Sequence, residues 1–196
     1  MKNKEYLDAK EKALKALEKA YCEKKIDDGV SLILKQINAL NGFYTSSSCA
    51  GRIVLLQIPT IGDKHGACFL GIWHRTIEAN EVLVSAAQAT TGLLWLLAQS
   101  PIIHIGAETL TQANSMVKTA ISSGFKNSAV KSTGKKIIIE LASTERLDAP
   151  IGRDGLLFCE KQYLDLLVEI SNEIIKRSQE KLDRLTKKLG IFTDFP

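Results

Sequence analysis

The order of helical and strand-like segments constrains the fold of this 196-residue chain more than any other feature. Apolar residues at helical spacing alternate with pairs of short apolar runs that have strand character. One pair is Arg52–Ile58 and Cys68–Trp73, joined by a polar turn, and another is Leu93–Ala98 and Ile102–Ala107, separated at Pro101. Helices that alternate with strand pairs predict an α+β fold, with helices packed on a mixed, mostly antiparallel sheet.

The helical spacing also predicts the domain organisation. Helices are predicted over residues 3–24, Val30–Leu40, Glu78–Thr90, Leu110–Ala120 and Glu160–Leu189. The order of helices and strand pairs suggests two related halves. The sequence shows no repeat between them, however, and no linker separates them. We therefore predict a single domain over residues 1–196, with an N-terminal helix in 1–26, an α+β core in 27–159 and a long C-terminal helix in 160–189.

Composition excludes several classes of protein. Hydrophobic residues make up 45% and charged residues 24% of the chain, which is typical of a globular protein. The net charge of +4 is compatible with nucleic acid without requiring it. The most apolar run, residues 93–98, is too short to span a bilayer, and no secretory signal is recognisable. Four dispersed cysteines without a C-x-x-C pair predict no metal site and no disulfide framework, and the cytoplasm is the expected compartment.

A hydroxyl-rich stretch from Thr45 to Arg52 is the main candidate for a ligand site. It contains three serines, Cys49 and Gly51, and it leads directly into the strand Arg52–Ile58. This position predicts a loop at the mouth of a strand. Two interpretations remain open: an ordinary Ser/Gly turn, or a loop that binds a polar ligand through its hydroxyl and N–H groups. Arg52 would add a planar, charged group that suits phosphate or carboxylate.

Two histidines and a second loop are further candidates. His74 closes one predicted strand and His104 interrupts the apolar strand Ile102–Ala107; each is either a hydrogen-bonded structural residue or part of a cleft. The segment Ala142–Gly155 is predicted to be a loop, either a surface connection or a ligand lid. The basic end of the last helix suits either a solvated face or contact with phosphate. No dinucleotide-binding, P-loop or nucleophile-elbow motif is present, so nothing supports a Rossmann cofactor site.

The stretch Thr45-x-Ser47-Ser48-Cys49-x-Gly51-Arg52 resembles the [S/T]-x-S-S-C-x-G-R signature of the tRNA wybutosine-synthesizing protein 3 family. Further matches follow in the same order along the chain: Asp28, Asn38, His74, Pro101-x-x-His104, Gly124-Phe125-x-x-Ser128, Leu147-Asp148-x-Pro150-Ile151-Gly152 and Asn172. The resemblance covers the chain from about Asp27 into the last helix. Trp73 departs from the family pattern, in which a smaller residue is expected before His74.

This resemblance implies an S-adenosylmethionine-dependent methyltransferase of archaeal type. The implied substrate is the wybutosine intermediate at position 37 of tRNA-Phe, methylated on N4, so the expected partner is the anticodon stem-loop, with no membrane and no obligate protein partner. The implied substrate-binding residues are Thr45, Ser47, Ser48, Cys49, Gly51 and Arg52. Because proton removal suits a histidine near neutral pH, His74 and His104 are the catalytic candidates. The cofactor site is not located; the candidate is the loop containing Asp148, Pro150 and Gly152.

Two other functions remain open on the sequence. A non-enzymatic RNA-binding domain would use the hydroxyl-rich loop to hold phosphates. A thiol enzyme would use Cys49 as its nucleophile, although the sequence shows no partner for that thiol.

Overall fold

A computed structural model describes residues 4–190 and confirms the α+β class. These residues form five helices: α1 (Lys4–Cys22), α2 (Asp28–Ala39), α3 (Ala79–Ala86), α4 (Leu110–Ser122) and α5 (Lys161–Leu189). They also form nine strands: β1 (Phe43–Cys49), β2 (Arg52–Ile58), β3 (Cys68–Trp73), β4 (Leu93–Gln99), β5 (Ile102–Ala107), β6 (Ala129–Thr133), β7 (Ile137–Ala142), β8 (Arg146–Arg153) and β9 (Leu156–Leu157). Every strand pairing between them is antiparallel.

The chain divides into two compact units, each built around its own sheet. Of the described residues, unit 1 contains those up to Ala50, Pro101–Thr144 and those from Ser178 onward, whereas unit 2 contains Gly51–Ser100 and Glu145–Arg177. The sheet of unit 1 has the strand order β1-β5-β7-β6, and that of unit 2 has the order β3-β2-β4-β8-β9. Whether residues 1–196 behave as one domain stays a prediction.

In unit 1, one face of the sheet packs against α2, α4 and the last part of α5. The other face carries polar groups, except at Tyr44, which packs against Tyr6 of α1. Strand β5 alternates accordingly: Ile103 and Ile105 are fully buried, whereas Ile102 and His104 are partly exposed. The buried face meets apolar residues of α2, α4 and the last part of α5, including Ile33, Met116 and Leu185. Period-two alternation therefore places His104 on the face opposite this core.

Unit 2 follows the same principle with its five-stranded sheet. Ile53 and Leu55 on β2 and Leu96 on β4 are fully buried, and they pack against α3 and the first part of α5. Their neighbours along the strands, such as Arg52 and Leu97, point to the opposite face.

The predicted loop from Thr45 to Arg52 was wrong. The hydroxyl-rich residues belong to strand β1, Ala50 and Gly51 form the turn, and β2 begins at Arg52. Strand β1 pairs along its length with the apolar strand β5, and this pairing outweighs the local turn preference of serine. Gly51 has φ +91°, a conformation that favours glycine at the turn.

The predicted loop from Ala142 to Gly155 was also wrong, because most of it is strand β8, paired with β4. Pro150 is tolerated there because the register of the pairing shifts beside it. Gly152 is required by close approach: a Cβ atom at this position would lie 2.2 Å from the carbonyl oxygen of Leu156. Strand β6, which is largely polar and exposed, was missed.

The long C-terminal helix is confirmed, and two of its basic residues have a structural role within unit 1. Arg184 Nε donates to the carbonyl of Ser123, and Lys188 Nζ donates to the carbonyl of Ser122, at distances of 3.3 and 2.9 Å. Cations at a helix C-terminus satisfy its last carbonyls and oppose its dipole. These two side chains therefore stabilise the end of α4. Between residues 4 and 190, no helix has both the length and the apolar character needed to cross a membrane.

Candidate active site

A row of four polar side chains crosses the sheet of unit 1 on the face away from its core. Ser47 on β1, His104 on β5 and Glu140 on β7 lie directly opposite one another in the strand register. Ser47 Oγ is 2.9 Å from His104 Nδ1, and His104 Nε2 is 3.0 Å from Glu140 Oε2. Lys131 Nζ completes the row at 2.8 Å from Glu140 Oε1. We refer to Ser47, His104, Glu140 and Lys131 as the polar row.

The direction of each hydrogen bond in the polar row follows from the charge of Glu140. The hydrogen bond from Lys131 holds the pKa of this carboxyl below its ordinary value; partial burial opposes the shift and His104 adds to it. An ionised carboxylate only accepts hydrogen bonds, so Nε2 of His104 carries a hydrogen. In the neutral imidazole, Nδ1 is then an acceptor, and the hydroxyl of Ser47 donates to it.

Exposure falls along the polar row from the hydroxyl to the carboxylate. Ser47 is exposed, whereas the side chains of His104 and Glu140 are 31% and 17% exposed. A substrate can therefore reach the hydroxyl, while the carboxylate stays shielded behind the imidazole. A hydroxyl, an imidazole and a carboxylate in this order can accept a proton from a bound molecule or activate the hydroxyl.

Polar residues from α2 and the segment before it hold β1 in place. Asn38 Nδ2 donates to Thr45 Oγ1 at 2.8 Å, and Asn38 Oδ1 accepts from the Thr45 N–H at 2.9 Å. Asp27 occupies the N-cap position of α2, but its carboxylate accepts from the Ala50 N–H instead, at 2.9 Å. The register of β1 shifts between Thr45 and Ser47, and a bulge of this kind re-aims side chains. Thr45 is itself buried, which indicates a positioning role.

A cavity of about 230 Å³ lies beside β1 in unit 1. Its walls differ in character: residues 45–48 contribute hydroxyl groups, whereas Ala13, Ala16 and Ala20 of α1 contribute small apolar side chains. The alanines leave room that longer side chains would fill. Because Ser47 is one of the lining residues, the cavity borders the hydroxyl end of the polar row.

Arg52, in unit 2, uses only part of its guanidinium group in contacts with the protein. Its Nε donates to Gln99 Oε1 at 2.9 Å, and its guanidinium carbon lies 5.6 Å from the centroid of the Phe69 ring. Among the residues described by the structure, Arg52 forms no ion pair. Asp148, which a structural arginine would have used, pairs with Arg146 instead. The terminal nitrogens of Arg52 are thus available to a ligand.

His74 is exposed and follows β3 in unit 2, where its Nδ1 lies 3.1 Å from the carbonyl oxygen of Gly51. A carbonyl only accepts, so Nδ1 carries the hydrogen. The segment after His74 is held by Asn172 of α5, whose amide accepts from the Ile77 N–H and donates to the Ile77 carbonyl, both at 2.8 Å.

The structure joins some of the site residues predicted from sequence and separates others between the units. Thr45, Ser47, Ser48, Cys49 and His104 belong to unit 1, whereas Gly51, Arg52, His74, Asp148, Pro150 and Gly152 belong to unit 2. Direct hydrogen bonds connect Ser47 with His104 and Gly51 with His74. Glu140 and Lys131 were missed, although Glu140 is the one charged residue in the apolar run 137–141, which was an available signal.

Comparison with known proteins decides the family. Residues 8–190 match the family model described as Methyltransferase TYW3. This chain belongs to the TYW3 methyltransferase family. A relative from Pyrococcus horikoshii is 43% identical over 93% of both chains, and one from Thermococcus kodakarensis is 41% identical over 93% of this chain and 92% of its own. Both are named tRNA(Phe) 7-((3-amino-3-carboxypropyl)-4-demethylwyosine(37)-N(4))-methyltransferase 1.

Solved structures agree with the membership of the TYW3 family. The PH1069 protein of Pyrococcus horikoshii has a TM-score of 0.92 and 42% identity, with 96% of this chain and 97% of that chain covered. A hypothetical protein from Aeropyrum pernix has a TM-score of 0.72 and 30% identity, with 83% and 96% covered. The chain is therefore an enzyme of the methyltransferase class, as the family resemblance implied.

Replacing Cys49 with serine should leave most of the methyltransferase activity. Cys49 lies opposite Ile102 at the end of β1, and displacement at a methyl group needs no covalent bond to the enzyme. We expect kcat within about threefold of wild type, which corresponds to less than 1 kcal/mol. Complete loss of turnover in a folded C49S protein, or a methylated cysteine found by peptide mass, would contradict this expectation.

Proposed function

We propose that this protein transfers a methyl group from S-adenosylmethionine to N4 of the wybutosine intermediate at position 37 of an archaeal tRNA-Phe. The family and the names of relatives about 40% identical over most of the chain support this assignment. The structural observation that carries it is the polar row, which offers a proton acceptor beside an exposed hydroxyl. A tRNA substrate also supports a cytoplasmic location.

The proposed reaction requires a group that accepts a proton. The acceptor nitrogen of a 4-demethyl base carries a hydrogen, which must leave when the methyl group arrives. One N–C bond forms, the methyl–sulfur bond breaks with its electron pair returning to sulfur, and the N–H bond gives up a proton. Positioning the nitrogen in line with the methyl group supplies much of the rate, and a base assists by removing the proton.

His104 is the proposed base, acting through Ser47. The Ser47 oxygen accepts the proton from N4 while its own hydrogen passes to Nδ1 of His104. Glu140, held ionised by Lys131, then faces the imidazolium through Nε2. A carboxylate in this position orients the ring and stabilises its cation. His74 remains the alternative acceptor, and its Nδ1 hydrogen is held by the carbonyl of Gly51.

The residues beside β1 fit part of the methyl donor. When bound, the donor supplies a methyl group activated by a sulfonium. The hydroxyl group of Ser48, in the wall of the cavity beside β1, suits its polar groups, and Ala13, Ala16 and Ala20 of α1 line the same space of about 230 Å³. The segment Asp148–Gly152, considered from sequence, is less suitable because it is paired in β8 and Asp148 is engaged by Arg146.

Arg52 is proposed to bind the carboxylate of the modified base. The relatives' names specify a 3-amino-3-carboxypropyl group, which ends in a carboxylate. The two terminal nitrogens of a guanidinium match the two oxygens of a carboxylate in parallel hydrogen bonds. Gln99 and Phe69 hold the rest of the Arg52 side chain without neutralising its charge.

One experiment tests the assignment directly. The purified protein is incubated with S-adenosylmethionine and tRNA from a strain that lacks the enzyme, and the nucleosides are analysed by mass spectrometry. We expect position 37 to gain one methyl group on N4, with fully modified tRNA as the negative control. Tight RNA binding without methyl transfer would instead support the non-enzymatic RNA-binding alternative, and dependence on Cys49 would support the thiol enzyme.

A further inference from the structure

The sheet of unit 2 has a second face, on which Val54 is fully buried whereas Arg52 and Leu97 are partly exposed. Helices α3 and α5 pack on the side of Ile53 and Leu96, so the alternate residues point the other way. We refer to this second side as the open sheet face. Arg52 on β2 and Phe69 on the edge strand β3 belong to it, and so does Leu97 on β4.

The open sheet face exposes large apolar side chains. Phe69 is 51% exposed and Ile72 is 44% exposed, and both lie on β3. Leu97, on the central strand β4, is partly exposed as well. A patch of neighbouring apolar groups on the surface of a water-soluble domain marks a binding surface more often than a single exposed residue does.

Positive charge surrounds this apolar surface. Arg146 and Arg153 on β8 share the open sheet face with Arg52, because they pair with Gln99 and Leu93 on the same side of β4. Against these three arginines, β8 contributes one carboxylate, Asp148, which pairs with Arg146. The Arg52 guanidinium lies over the Phe69 ring, so an aromatic face and a cation are presented together.

We propose that the open sheet face binds a single-stranded RNA segment, with a base stacked on Phe69 and phosphates contacted by Arg146 and Arg153. Aromatic side chains on an exposed sheet, flanked by positive charge, stack unpaired bases and track the backbone. The negative charge of a phosphodiester chain also complements the excess of arginine on this face. An apolar protein surface would not neutralise that positive charge. The inference rests on the proposed function, since it assigns the face to unpaired nucleotides of the same tRNA.

Phe69→Ala tests the stacking contact, and Phe158→Ala is its matched control. Phe158 is an even more exposed phenylalanine of unit 2, at 72%, and it follows β9 rather than standing on β3. Binding is measured by fluorescence anisotropy with a labelled stem-loop RNA that carries no modified base. We expect F69A to weaken binding at least about fivefold and F69W to restore it, because every base can stack on an aromatic face. F158A should bind like wild type.

The charge is tested by salt dependence. Arg146→Ala should reduce the slope of log Kd against log salt by about 0.7, the value for one phosphate contact on a single strand. Lys161→Ala removes an equal charge from α5, where Lys161 pairs with Asp165, and it should leave the slope unchanged. Melting temperatures of all variants serve as the check on folding.

The outcomes separate this inference from the proposed function. If F69A and F158A bind the unmodified RNA equally, the open sheet face is not the RNA surface, even if methyl transfer proceeds. If F69A binds more weakly while wild type transfers no methyl group, the surface stands and the proposed function fails. Equal slopes for R146A and K161A would also overturn the assignment of phosphate contacts.

Discussion

Replacing His104 with alanine is expected to lower kcat for methyl transfer by about 10²- to 10⁴-fold, the usual contribution of a general base. The affinity for tRNA should change little, because a transition-state contact affects kcat rather than binding. Single-turnover methyl transfer and RNA anisotropy measure the two quantities on the same protein. His65→Ala is the control, since His65 is an exposed histidine in a turn of unit 2. Wild-type turnover in H104A would exclude a proton-accepting role.

Glu140→Gln tests how much the carboxylate contributes to catalysis while His104 itself is kept. An amide keeps the shape of the side chain but does not stabilise an imidazolium, so the base should become a weaker proton acceptor. The acidic limb of the kcat–pH profile should then move to lower pH, with a smaller loss of kcat than in H104A. A purely structural role of Glu140 would lower stability without moving that limb.

The same carboxylate contributes to stability in a direction that can be checked. Because the fold lowers the pKa of Glu140, its ionised form is favoured in the folded state. This contribution is present above the pKa of the unfolded chain and is lost as pH falls through the lower pKa of the folded one. Glu140→Gln should therefore have a melting temperature less sensitive to acid than that of wild type.

Segments with long-range apolar periodicity could be predicted from the sequence because burial determines them. The helix Lys161–Leu189 and the strands around Ile53 and Ile103 each bury a regular set of side chains. The stretches Thr45–Cys49 and Arg146–Arg153 could not be assigned in this way, since their residues favour turns locally. They become strands only because β5 and β4 provide pairing partners that are distant in the sequence.

For a similar reason, His104 could be selected from the sequence, whereas its contacts across the sheet could not be predicted. His104 stood out as one polar residue in an apolar strand, but its partners lie on β1 and β7, about 57 and 36 residues away. Register, which decides whether Glu140 or its neighbours face His104, depends on the whole sheet. Glu140 carries the same signal as His104, a single charged residue in an apolar run. Two such residues in neighbouring strands of one sheet are a pattern worth seeking in other sequences.

Arg52→Lys is expected to lower kcat/KM for the modified tRNA at least about tenfold, a loss of 1.4 kcal/mol. Lysine keeps the charge but cannot form two parallel hydrogen bonds to one carboxylate. The melting temperature should stay close to that of wild type, because between residues 4 and 190 the Arg52 side chain has a hydrogen bond to Gln99 and a contact with the Phe69 ring but no ion pair. Steady-state kinetics and thermal unfolding on the same preparation give both values.

Arg75→Lys is the matched control for this prediction. Arg75 already makes a two-pronged contact within the protein, with Nη1 and Nη2 at 3.1 and 2.7 Å from the carboxylate of Glu81. Its replacement should affect that internal contact and leave kcat/KM near wild type. Binding of RNA without the modified base should be similar in wild type and R52K, since phosphate contact needs charge rather than two aligned donors. Full activity in R52K would remove Arg52 from carboxylate binding, and a large drop in melting temperature with a proportionate loss of activity would make it a residue of the scaffold.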